Sequence, residues 1–169
     1  MPLFFIEMGQ GIIARGDVRV RTSTLYSCTL IVGYNQGSGY GGAYHYPSNR
    51  LDDPAVRADM DNWAAVLRPT AVTLIFALDA SGAGMMGTPA RDQFDLQQWV
   101  NQQCNVAPAT TSAVGAGVEL FVGGGFNAGN VAHLAGNFDP NQAIGVDNRT
   151  AGRYLDHGGF TLLGVNREQ

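Results

Sequence analysis

The chain has 169 residues, 45% apolar and only 14% charged, with a net charge of −4 at neutral pH. That length fits one domain spanning residues 1–169 and is enough to bury a core of its own. Scattered arginines on an acidic chain exclude a nucleic-acid groove, no apolar run approaches the ~20 residues of a membrane helix, and the apolar runs exclude disorder.

Residues 3–7 and 17–24 read as strands; in the second, Val18, Val20 and Thr22 alternate with Arg19, Arg21 and Ser23. The opening segment has neither a basic start nor a small-residue cleavage site, so it reads as strand and not as a secretion signal. Residues 28–34 are a continuous β-branched and apolar run, expected as a buried strand. Residues 35–39 predict a turn and 40–46 the returning strand of a hairpin, which sets Cys28 and His45 on neighbouring strands. Residues 52–67 predict a helix. Asp52 or Asp53 can cap it, Pro54 suits its first turn, and Val56, Met60, Ala64 and Leu67 are helically spaced.

A strand over 70–78, a glycine-rich loop over 79–89 and a second helix over 90–103 follow. A strand over 118–122 runs into Gly123-Gly124-Gly125. Residues 147–157 predict a last helix closed by Gly158-Gly159, before a terminal strand over 160–165. No internal repeat breaks this order. The expectation is a single α+β domain, a β-sandwich or mixed sheet flanked by helices.

One constellation carries chemistry. A thiolate is a strong nucleophile, and an imidazole in reach of the thiol can take its proton and return it to a leaving group. Cys28 and His45, on facing strands of one hairpin, have that potential. A third group normally fixes the ring, and Thr22 on the preceding strand can offer a hydroxyl or carbonyl. The competing reading is structural: cysteine in an apolar strand often serves as a small core hydrophobe, and a lone histidine as a satisfied polar residue. Tyr26, Tyr40 and Tyr46 either line a substrate groove or pack as ordinary strand tyrosines.

Other signals are weaker. His133 and His157 lack metal-ligand spacing. Gly37-Ser38-Gly39 does not fit a nucleophile elbow, and the glycines at 115, 117 and 123–125 lack the residues of a phosphate loop. Asp59 and Asp61 are two apart on a helix and do not share a face. Cys28 and Cys104 could form at most one bridge, no disulfide framework, which reads as a reducing compartment; Cys104 reads as structural. No metal or organic cofactor is called for.

The segment Thr22-Ser23-Thr24-Leu25-Tyr26-Ser27-Cys28, with His45 downstream, resembles the active-site segment of the chemoreceptor glutamine deamidases, the CheD family. Met8-Gly9-Gln10-Gly11 resembles that family's opening glycine segment, and Gly41-Gly42-Ala43-Tyr44-His45 the stretch ending in its histidine. Val122-Gly123-Gly124-Gly125 resembles its central glycine motif. Ile144-Gly145-Val146-Asp147-Asn148, with Gly158-Gly159-Phe160-Thr161-Leu162, resembles its C-terminal segment. The similarity touches most of the chain in the same order.

The resemblance implies a CheD-like deamidase fold and a protein-glutamine deamidase, with Cys28 as nucleophile, His45 as base and acid, and Thr22 orienting His45. Ser27, Tyr26, Tyr46 and Asn148 are then expected to support the site or bind substrate. With a lysine amine in place of water, the same chemistry is that of a transglutaminase. Its site logic is shared with deamidase toxins of the cytotoxic necrotizing factor type. The chain departs from the family in carrying Thr24 and Tyr26 where the family has glycines, and Asp147-Asn148 where it has Arg-Asn. A longer segment also separates His45 from Gly123.

All ten basic residues are arginines, and lysine is absent. A lysine-free chain offers no side-chain amine for ubiquitin or for its own acyl transfer. That points to an alternative to the cytoplasmic chemotaxis role: an effector secreted without a signal peptide into a target cell, acting on a host protein. The expected partner is a protein substrate, a chemoreceptor or a host protein, with a regulatory or immunity protein as a further partner. A third reading is a non-catalytic binding module of the same fold.

Overall fold

The computed structural model describes residues 3–15, 19–22, 25–78, 87–114, 117–121, 132–134, 153–156 and 160–164. Along the chain run β1 (Leu3–Ile6), β2 (Gln10–Arg15), β3 (Arg19–Thr22), β4 (Thr29–Asn35), β5 (Tyr40–Tyr46), α1 (Pro54–Leu67) and β6 (Ala71–Leu78). They are followed by α2 (Ala90–Cys104), β7 (Ala109–Val114), β8 (Gly117–Phe121), β9 (Ala132–Leu134), β10 (Arg153–Asp156) and β11 (Phe160–Gly164). The fold is α+β.

The strands form two sheets. The larger has the order β10-β11-β2-β5-β4-β6-β7, and the smaller β1-β3-β8-β9. All pairs of the larger sheet are antiparallel except β6–β7, a parallel pair whose crossover contains α2, as a parallel connection requires. At its centre the β4–β5 hairpin closes through the 35–39 turn. Gly39 N donates to Asn35 O at 2.9 Å, Ser38 N donates to Asn35 Oδ1 at 3.0 Å, and Gly39 takes a φ of 75° that a side chain would resist.

One face of the larger sheet carries the helices. Ile13, Ile31, Tyr44, Tyr46, Val72, Leu74 and Phe76 share a buried core with Val56, Met60, Trp63, Leu67, Leu96, Trp99 and Val100 of the helices. Strand side chains alternate between faces. The buried Ile12, Leu30, Val32, Ala43, His45 and Ile75 therefore point to the other face, where the C-terminal end of β1 meets the ring of His45. Helix α1 lies close on its sheet because Gly42 and Gly33, register partners across β5 and β4, and Gly11 of β2 all face Trp63. A Cβ at Gly33 would come within 2.8 Å of Leu67 and 3.0 Å of Trp63. The indole N–H of Trp63 donates to Ile12 O at 3.3 Å, which pins the helix to that strip.

Asp53, of the two candidate caps, caps α1: its carboxylate accepts from Ala55 N at 2.9 Å and Val56 N at 3.4 Å. The helix stops at Arg68 in the left-handed conformation, ahead of Pro69. The expected strands over 3–7, 17–24, 28–34, 40–46, 70–78, 118–122 and 160–165 and the two helices are all present within a few residues.

One expected element is overturned. Arg153–Asp156, assigned to a last helix, is strand β10, paired antiparallel with β11. Four residues cannot separate a period of 2 from one of 3.6, and a glycine pair suits the end of either element. Residues 147–152 and 157–159, including Asn148, lie outside the described residues, as do Thr24 and Gly123–Gly125. Strands β2, β7 and β9 carried no distinctive pattern of their own. Cys28 and Cys104 are both free thiols.

Candidate functional site: a thiol and an imidazole at the end of the central hairpin

The register of β4 and β5 pairs Leu30 with His45 and Thr29 with Tyr46. Cys28 immediately precedes β4, two residues from Leu30. The Cys28 sulfur and the His45 ring are not hydrogen-bonded to each other.

His45 is buried. Its Nδ1 lies 3.3 Å from the carbonyl oxygen of Ile6, so Nδ1 carries the proton and donates. Nε2 then bears the lone pair, and it has no hydrogen-bond partner among the described residues. Burial pulls the ring down to about 4, with the Ile6 carbonyl opposing it in part. At neutral pH this is an uncharged imidazole holding an unused base. Thr22, the expected orienting residue, is fully buried and is the register partner of Ile6 in the parallel β1–β3 pair. It stands one strand away from the carbonyl that meets the ring.

Cys28 is half-buried. Its Sγ donates to Met8 Sδ at 3.5 Å, and the backbone N–H groups of Ser48 and Ser27 are directed at the sulfur. Burial pushes the thiol up, the two N–H groups pull it down, and the nearby Asp92 carboxylate pushes it up again, for a net rise. The resting pair is thus a neutral thiol and a neutral ring.

Three supports were not singled out in the sequence. Met8 sits on the turn between β1 and β2, where Gln10 N donates to Glu7 O at 3.0 Å and Glu7 N donates to Gln10 Oε1 at 2.8 Å. Gly9 takes a φ of 82° in that turn and its N–H donates to His45 O at 2.8 Å. The resemblance-bearing segment 8–11 is therefore the piece that carries Met8 to the thiol.

Thr88 is the second. Its hydroxyl accepts from Ala77 N at 2.7 Å and donates to Cys28 O at 3.0 Å, while its own N–H donates to Ala77 O at 2.9 Å. The third is Asp92, buried in the first turn of α2, where a carboxylate also suits the helix dipole. It accepts from Tyr46 OH at 3.4 Å, Ser48 Oγ at 3.2 Å and Asn49 N at 2.9 Å. An aspartate on a helix and a threonine after a loop are too common to stand out by spacing; only the crossing of β6 and α2 over the hairpin end brings them to Cys28.

The expected tyrosines separate. Tyr26 is 56% exposed beside Cys28 and stays available to a partner. Tyr46 is fully buried, and its hydroxyl is engaged by Asp92 and by the Arg50 N–H at 3.0 Å. Burial pushes its phenol up to about 12. Tyr40 opens β5 at the far end of the hairpin, roughly 17 Å along the strand from His45. Cys104 ends α2 against the helical core, and burial pushes its thiol up to about 11.

Among the described residues no three His, Cys, Asp or Glu side chains converge as metal ligands, and no helix is long and apolar enough to cross a membrane. Two surface depressions lie beside the helices, one lined by Ala64, Arg68 and Cys104 and one by Asp52, Arg57 and Arg91; neither contains Cys28 or His45. Compared with known protein families and with curated proteins, the chain matches none. The fold and site define an α+β protein with a half-buried cysteine and a buried, uncharged histidine at one end of a β-hairpin.

Proposed function

We propose that this protein is a cysteine-dependent protein-glutamine deamidase of CheD-like fold. The observation that carries the reading is the ring of His45: Nδ1 is committed to the Ile6 carbonyl, and Nε2 is left with a free lone pair at the end of the hairpin where Cys28 lies. In the proposed reaction Nε2 takes the Cys28 proton as the sulfur attacks the carboxamide carbon of a substrate glutamine. The imidazolium returns that proton to the departing nitrogen, and ammonia leaves with formation of a thioester. Nε2 then deprotonates a water that attacks the thioester, and the thiolate departs and is reprotonated, leaving glutamate. The Ser27 and Ser48 N–H groups beside the sulfur are suited to the oxyanion. With a lysine amine as the second nucleophile the product is a crosslink.

The raised thiol of Cys28 supports a second reading, a non-catalytic binding module of the same fold in which Tyr26 belongs to the docking face. The lysine-free composition supports an effector that acts on a host protein, with the same chemistry in another cell. Treating a proteome with wild-type and Cys28→Ser protein tests all three. Ammonia release with +1 Da glutamine sites that depend on Cys28 supports the deamidase, and the proteins bearing them separate chemoreceptors from host targets. No Cys28-dependent shift, with thiol alkylation no faster than that of a free cysteine, establishes the binding module.

A further inference from the structure

We propose that Asp92 is a positioning residue that sets the reactivity of Cys28 by holding the 47–50 turn against the sulfur. The inference deepens the nucleophile reading of Cys28, but it is measured on the thiol itself. Its failure therefore does not touch the deamidase reading, nor does failure of the deamidase reading touch it.

A buried carboxylate is costly unless its lone pairs are filled. Asp92 fills them with three donors from one short stretch of chain: Tyr46 OH, Ser48 Oγ and Asn49 N. The Tyr46 hydroxyl in turn accepts from Arg50 N at 3.0 Å. The stretch from Tyr46 to Arg50 is thereby tied to the first turn of α2 at three points, with Arg50 joined through the Tyr46 hydroxyl. Asn49 is held at a φ of 56°, a left-handed conformation that a free turn would populate only in part. The same stretch carries the Ser48 N–H directed at the Cys28 sulfur.

The carboxylate thus does two opposing things. Through the turn it holds a donor on the sulfur, which favours the thiolate; through its own charge it disfavours the thiolate. The other charged or titratable groups on the elements around Cys28 are Tyr26 beside it, Tyr34 of β4, Glu7 of the β1–β2 turn, Tyr40, Tyr44, His45 and Tyr46 of β5, Arg50 of the 47–50 turn, and Arg91, Asp95 and Cys104 of α2. Of these only Tyr46 and Arg50 reach the Asp92 network, both through the tyrosine hydroxyl.

The two actions separate by mutation. Asp92→Asn keeps an oxygen for the Asn49 and Ser48 donors and an amide group opposite the Tyr46 hydroxyl, while removing the charge. Tyr46→Phe keeps the charge and cuts the tie to Arg50. The readout is the pH dependence of iodoacetamide alkylation at Cys28, located by peptide mass spectrometry, with circular dichroism on each protein. The midpoint is expected to fall by about one pH unit in Asp92→Asn and to rise in Tyr46→Phe. Asp92→Ala, which loses both actions, is expected above Asp92→Asn. Folded Asp92→Asn and Asp92→Ala with the alanine midpoint no higher than the asparagine one overturn the proposal. If either does not fold, Tyr46→Phe decides alone: a raised midpoint supports the proposal, and an unchanged or lowered one overturns it.

Discussion

The Nδ1 of His45 sits 3.3 Å from the backbone oxygen of Ile6, so the tautomer of the central histidine is set by a main-chain atom of the smaller sheet. A carbonyl accepts only, which leaves the proton on Nδ1 and the lone pair on Nε2. An orienting group of this kind does not depend on side-chain identity and survives substitution at position 6 as long as β1 keeps its place.

Burial gives His45 a pH signature. Its folded value of about 4 lies below the ordinary value of 6.5, so the unfolded chain binds the proton first as pH falls. Stability is then full above about pH 6.5 and declines through the window down to about 4, by about 3 kcal/mol for a shift of this size. Urea unfolding at several pH values measures it. The slope in this window should be smaller in His45→Gln than in the wild type, and equal slopes would refute the assignment.

Met8 covers the thiol with a side chain that is itself 42% exposed. Met8→Ala removes a weak sulfur contact, worth roughly 0.5–1 kcal/mol, and is expected to speed alkylation of Cys28 about two- to fivefold. The rate at fixed pH, compared with that of Cys104 in the same sample, is the measurement. An unchanged ratio would mean that the methionine does not guard the sulfur.

Thr88 joins the Cys28 carbonyl to the Ala77 N–H through one hydroxyl. Thr88→Val keeps the shape and strands both groups, at a cost of about 1–3 kcal/mol, whereas Thr88→Ser keeps the hydroxyl. Thermal unfolding should rank the serine variant clearly above the valine variant. Any Cys28-dependent activity should follow the same order, because the carbonyl of Cys28 is what the hydroxyl holds.

Gly42 has a packing reason to be glycine. A Cβ there would lie 2.7 Å from the Ile12 carbonyl oxygen, a backbone atom that cannot swing aside, and 3.1 Å from both Trp63 and Leu67. Gly42→Ala is expected to cost about 1–3 kcal/mol, read as a drop in urea midpoint. Gly37 faces only the Asn35 side chain at 3.4 Å, so Gly37→Ala should cost much less.

Much of the fold was legible because its strongest signals are local. The alternation at 17–24, the β-branched run at 28–34 and the apolar spacing from Val56 to Leu67 each report a buried face without knowledge of what covers it. That Cys28 and His45 fall at the same end of one hairpin followed from strand order alone. The strand at Arg153–Asp156 was misassigned because so short a segment takes its structure from the neighbour it pairs with, here β11.

What the amino-acid order determined by itself is therefore a hairpin with a cysteine and a histidine at one end of it. Which nitrogen of that histidine keeps its lone pair, which side chain meets the sulfur and which carboxylate accepts from the turn beside it were decided by tertiary structure. Ile6 and Met8, and Thr88 and Asp92, reach the hairpin end from two distant stretches of chain, Ile6 being 39 residues from His45 and Thr88 60 from Cys28. Nothing in local spacing records such contacts: they exist only once burial against Trp63 and Trp99 has fixed where the helices and sheets cross.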